Sequence, residues 1–188
     1  MPRETTGSRD AFVETTGRLL RRQGYAATGL NEIVAASGAP RGSLYFHFPG
    51  GKQELAIAAM EHAGGRLRDA IAAVMASGDG PADSLGRLID ALAAGLEASG
   101  YRDGCPIATI TLETAAGAEP VRLTAERVFA SWLAALRASL QDAGMAPEVA
   151  ERRAVHVLAA IEGGLLLARA RRDLAPLRAV REELLALL

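Results

Sequence analysis

Apolar residues in this chain recur three and four positions apart almost from end to end, and that spacing is the period of an α-helix. Phe12, Thr16, Leu19 and Leu20 fall on one helical face, as do Leu85, Leu88, Ile89, Leu92 and Leu96, and Phe129, Trp132, Leu133, Leu136 and Leu140. No run alternates apolar and polar residues as a half-buried strand does, and no segment repeats. Glycine and proline punctuate the pattern at Gly24, Gly38, Pro49-Gly50-Gly51, SGDGP (77 to 81), Gly100, Pro106, Gly144, Pro147 and Pro176. Read together, these signals predict an all-α protein of about nine helices. Residues 107 to 116 contain Thr109, Ile110 and Thr111, β-branched residues that favour strands. A lone strand would have no partner, so a helix is expected there too.

Two of the predicted helices are unusually short and close together. Leu30, Ile33 and Val34 mark one, with Thr28 placed as an N-cap and Ser37-Gly38 as its stop. A second runs from Pro40 or Arg41 to Phe48, with Leu44 and Phe48 on its inner face. Helix, tight glycine turn, helix is the layout that sets a second helix into the DNA major groove. The N-terminal end of that helix carries Arg41, Gly42 and Ser43. Arg41 can bond a guanine bidentately, Ser43 can pair with several bases, and Gly42 permits close approach. Tyr45, His47 and Lys52 are groups suited to phosphates.

Charge is consistent with this. Seven basic side chains meet five acidic ones over residues 1–55, so the remainder carries the negative balance of a chain that is −1 overall. A mildly basic head on an acidic body fits phosphate binding at one end. A single cysteine excludes an internal disulfide and fits a reducing compartment. No apolar run reaches the ~18 residues of a membrane helix, and no signal peptide is visible, so a cytoplasmic protein is expected. Enzyme signatures are missing. Gly50-Gly51-Lys52 lacks the other residues of a phosphate-binding loop, since Phe46 and Gln53 stand where glycine and Ser or Thr are needed. His47, His62 and His156 have no His or Cys neighbour at helical spacing, so no metal, cofactor or catalytic constellation is expected.

The stretch SGAPRGSLYFHFPGGKQEL resembles the DNA-binding signature of TetR-type transcriptional regulators. Thr28, Val34, Gly38, Leu44, Tyr45, His47, Phe48, Lys52, Glu54 and Leu55 match it. One extra glycine before Lys52 makes the linker a residue longer, as in the LmrA/YxaF-like branch, which the segment GCPIATITLE also resembles. The resemblance implies a helix-turn-helix domain over residues 1–55 and a ligand-binding and dimerisation domain over 56–188. It adds Thr28 to the phosphate contacts. It also implies an apolar cavity in the body, for which Cys105, Ile110, Glu113, Phe129 and Trp132 are the candidate lining residues.

The implied function is a ligand-responsive regulator, a repressor released from a palindromic double-stranded operator by a small apolar or aromatic inducer. The alternative is a small-molecule-binding helical protein without operator function. Gly64-Gly65, within a helix from Lys52 to Ser77, reads as a hinge or as a close helix contact. Gly163-Gly164 and the leucine-rich last two helices either complete the core or form a subunit interface, and the resemblance favours a homodimer through those helices. On that reading a charge at Leu184 separates the subunits.

Overall fold

The computed structural model describes residues 4–76, 80–114 and 117–188; of the expected features, residues 1–3 and most of the SGDGP break lie outside them. Among the described residues there are nine α-helices and no strand: α1 (Glu4–Ala27), α2 (Leu30–Ser37), α3 (Arg41–His47), α4 (Gly51–Met75), α5 (Pro81–Ala98), α6 (Pro106–Thr114), α7 (Glu119–Asp142), α8 (Pro147–Arg171) and α9 (Ala175–Ala186). The all-α expectation holds, including the β-branched stretch. In α6, Thr111 and Thr114 donate their hydroxyls back to the carbonyls of Ile107 and Ile110, both at 2.7 Å. This back-bonding satisfies the threonine hydroxyls without breaking the helix.

Several boundaries differ from the sequence reading. Helix α1 begins at Glu4, two turns ahead of Phe12, the first residue of its expected apolar face, and it does not stop at Gly24 but kinks there, with φ 81° and ψ −177°. The N-cap of α2 is Gly29 and not Thr28, and it supplies no side-chain hydrogen bond. Pro176 lies inside the first turn of α9, where its missing N–H costs nothing.

The chain forms two compact units. One is built from Met1–Gly65 with Pro106–Val128, the other from Arg66–Cys105 with Phe129–Leu188. The first therefore takes in more than residues 1–55: it includes the start of α4, all of α6 and the first half of α7. Its core joins Phe12, Val13, Leu19, Ile33, Leu44, Phe48 and Leu55, and α6 lies along α1. Gly64 is a contact point. A Cβ there would collide with both methyl groups of Val128 on α7, so of the two readings of this glycine the close helix contact is the one observed.

In the second unit α9 packs on α5 and α8. Leu85, Leu88, Ile89 and Leu96 fill the inner face of α5, and Leu177 and Leu184 that of α9. The two neighbouring glycines of α8 divide their roles. A Cβ on Gly164 would press on Leu177 and Val180 at 3.1 and 3.2 Å, so this glycine seats α9 of the same chain, whereas Gly163 faces open space.

Candidate nucleic-acid interface

Helix α3 is short, and its orientation is set by what it buries. Leu44 and Phe48, one turn apart, face the core, and the Phe48 ring meets Phe12 of α1 edge-on, with centroids 6.5 Å apart. The guanidinium of Arg9 covers that ring from 5.5 Å. The approach to α3 is equally fixed. Gly38 ends α2 in the left-handed conformation (φ 68°), and the Ser37 hydroxyl donates to the Val34 carbonyl and accepts from the Ala39 N–H. Pro40 then sets the extended backbone from which α3 starts. Behind α3, Gly51 is left-handed as well (φ 66°), and the Glu54 carboxylate accepts the Gly50 N–H at 2.7 Å. The extra glycine of the PGGK linker thus occupies a position that other residues adopt only with strain.

With one face buried, the other residues of α3 are turned out. Arg41 and Gly42 are exposed, and Arg41 donates to Asn31 Oδ1 of α2 at 3.1 Å, which holds the guanidinium in place. The Ser43 hydroxyl donates to the Pro40 carbonyl at 2.7 Å, leaving its oxygen to accept from a base amino group. Tyr45 is 63% exposed. His47 is half-buried, edge-on to the Phe46 ring at 5.1 Å.

Two of the expected DNA-contact residues sit differently from surface groups. Thr28 is wholly buried, and its hydroxyl donates inward to the Gly24 carbonyl at 2.6 Å. Lys52 reaches back to the turn after α1, with its ammonium 3.5 Å from the Ala26 carbonyl and 4.4 Å from the centre of the Tyr25 ring. One outward residue was missed by sequence reasoning. Phe46 is 76% exposed, the most open aromatic ring among the large exposed hydrophobic side chains. The signal for it was available: if Leu44 and Phe48 point inward, positions 45 and 46 point out.

The five residues expected to line a ligand cavity are divided between the units. Phe129 and Trp132 of the second unit meet edge-on at 5.4 Å, with Trp132 buried. Cys105 belongs to the same unit and bonds Glu162 of α8, a residue not among the candidate lining residues. Burial pushes the Glu162 carboxyl above the ordinary range, and the bond from Cys105 offsets part of that. Ile110 and Glu113 belong to the first unit. Ile110 is buried, and both oxygens of Glu113 accept backbone N–H groups, from Tyr25 at 3.1 Å and Ala26 at 2.7 Å.

Glu162 carries a pH prediction. A carboxyl with a raised folded pKa ionises at lower pH in the unfolded chain, so its effect on stability is least at acid pH. The fold loses stability as pH rises through the unfolded value towards the raised one. Glu162→Gln removes that loss. The variant is expected to melt higher than the parent at about pH 8, with the gap closing towards about pH 4. Thermal melts across that range check it, and a gap independent of pH would refute it.

Comparison with known proteins decides the family. Residues 12–59 match the family model for bacterial regulatory proteins of the tetR family, and residues 81–183 match the C-terminal domain of LmrA/YxaF-like transcriptional regulators. The chain is 37% identical over 177 residues to the HTH-type transcriptional regulator YxaF of Bacillus subtilis, covering 94% of this chain and 93% of the relative. The chain belongs to the TetR family.

A second TetR-family relative, the HTH-type transcriptional regulator LmrA of Bacillus subtilis, is 34% identical over 170 residues, covering 90% of each chain. The crystal structure of a TetR regulatory protein from Rhodobacter sphaeroides superposes with a TM-score of 0.87 at 20% identity, covering 95% of this chain and 97% of that one, and so shares its fold. The protein is therefore a DNA-binding transcriptional regulator and not an enzyme. No helix among the described residues is long and apolar enough to cross a membrane.

Proposed function

We propose that this TetR-family regulator is a cytoplasmic, homodimeric repressor that leaves a palindromic operator when a small apolar or aromatic inducer binds its second unit. The observation that carries the DNA-reading part is the outward row on α3, with Arg41 steadied by Asn31. Arg41, Gly42 and Ser43 read base edges. Tyr45, His47 and Lys52 hold the backbone, with Thr28 acting from within by bracing the turn before α2, against which Lys52 rests. Phe46 adds an apolar surface suited to thymine methyl groups or sugars. Two-fold symmetry in the protein matches half-sites ~10 bp apart.

The dimer reading is supported by α8. Val155, Ala159, Gly163 and Leu166 lie along one line of this helix, at spacings of four, four and three. Gly163 is open, and Leu166 is 61% exposed. An apolar, small-residue stripe of that kind suits a second copy of the same helix, with α9 flanking it. Inducer binding is assigned to Cys105, Phe129, Trp132 and Glu162 of that unit, which offer aromatic faces and a carboxyl that burial favours in its neutral form. An inducer that binds one arrangement of the dimer better than the other shifts the population towards it.

The deciding experiment is selection of bound sequences from a random DNA pool by the purified protein at near-physiological salt. Enrichment of a palindrome establishes operator recognition and dimer symmetry together. A folded protein that enriches nothing would instead be a binding protein without an operator of its own. On the enriched site, Arg41→Ala is expected to cost about 1–3 kcal/mol and to relax specificity at one base pair. Equal loss on every sequence would remove Arg41 from base reading.

A further inference from the structure

The turn between α1 and α2, residues 24 to 29, is held from three helices at once. Gly24 takes φ 81°, where a side chain is strained, and a Cβ there would collide with the Glu113 carboxylate. The kink starts a new, single helical turn, with Thr28 N–H bonding the Tyr25 carbonyl. The first amides of such a turn have no backbone acceptor of their own. In this chain the N–H groups of Tyr25 and Ala26 both donate to Glu113 of α6, 88 and 87 residues further on. The carbonyl ends are taken from the other side: Gln23 donates to Ala27 at 3.1 Å, and Lys52 of α4 points at Ala26. Two adjacent N–H groups after a left-handed glycine form an anion nest, and a carboxylate fits it with two charge-assisted bonds.

We infer that Glu113 is a positioning residue for operator binding: its carboxylate, seated in the Gly24–Ala26 nest, imposes the position of α6 on the entry to the helix-turn-helix. The residue does not touch DNA in this role. It fixes where the turn lies, and the turn fixes Lys52, the Tyr25 ring and the start of α2 at Leu30. Glu113 is exposed, so the fold does not depend on burying it. The inference rests on the DNA-binding role of the family and not on the identity of an inducer.

Glu113→Gln keeps the shape and changes the donors. The carboxamide oxygen accepts one N–H, while its NH2 group faces the other donor. Two effects of the substitution have opposite signs. Removing a negative charge near DNA strengthens binding to every sequence, whereas releasing the turn weakens binding to the operator alone.

The test measures the full-length dimer on the selected operator and on random duplex of equal length, with amide exchange at Tyr25 and Ala26 followed by NMR. The expected result is an operator affinity about tenfold lower or more, within the usual range of coupled sites. Random-duplex affinity should be equal or higher, melting temperature unchanged and exchange at the two amides faster. Operator affinity that is unchanged, or that rises together with random-duplex affinity, overturns the inference, as does unaltered protection of both amides. The amide readout needs no DNA, so it stands even if no operator is enriched.

Discussion

Leu184→Glu is expected to unfold the second unit, and Leu166→Glu to leave it folded while separating the dimer into monomers. Leu184 is 1% exposed on the inner face of α9. A glutamate there would bury a charge with nothing to compensate it, at a cost of about 3–5 kcal/mol, plus the lost packing of the leucine. Against a total stability of about 5–15 kcal/mol, that removes much of the margin. Leu166, on the outer stripe of α8, supports nothing in its own chain to a comparable degree. Its charge is harmful only where a second stripe must lie against it. Circular dichroism and sedimentation separate the two outcomes. A cooperative melt for Leu184→Glu would contradict the packing of α9, and a persistent dimer for Leu166→Glu would move the interface away from α8.

Gly64→Ala is expected to destabilise the protein, although alanine is the better helix former by about 1 kcal/mol. The new methyl group would press on Val128, whose Cγ2 lies 2.9 Å from where it would be and whose Cγ1 is closer. Valine is branched at Cβ and has little rotamer freedom to withdraw. Overpacking of this kind costs about 1–3 kcal/mol, or roughly 2–4 °C in melting temperature per kcal/mol for a chain of this length. Val128→Ala in the same chain should recover most of the loss, and the two substitutions should be far from additive. A variant more stable than the parent would show that α4 and α7 do not meet at Gly64.

Helix periodicity made the architecture legible, because burial of one face leaves its mark every three or four residues. The reading helix was legible for the same reason: Leu44 and Phe48 point inward, and the residues between them must face out. Phe46 was missed because the residues sought on that helix were hydrogen-bonding ones, and an apolar ring offers no donor or acceptor. Thr28 was assigned as a cap from its residue type, but the kink at Gly24 draws its hydroxyl inward and leaves the capping position to Gly29. Leu184 and Leu166 look alike in sequence, and only the path of α9 across α5 and α8 tells them apart. The role of Glu113 had no local signal at all. Its partners are backbone N–H groups, which every residue but proline carries, and they lie most of a hundred positions away. A carboxylate with such partners looks the same in sequence as one exposed to water or one awaiting a ligand.

Lys52 is the only lysine in a chain with twenty arginines. Amine-directed reagents, whether an acetyl donor or a fluorescent ester, therefore find a single side chain to attack apart from the terminal amine. That side chain is the one leaning over Tyr25 and the Ala26 carbonyl. Acylation would cancel its charge and its hold on the turn in one step. A dye attached there would sit beside the joint between α1 and α2, giving the protein a ready-made position for an optical reporter.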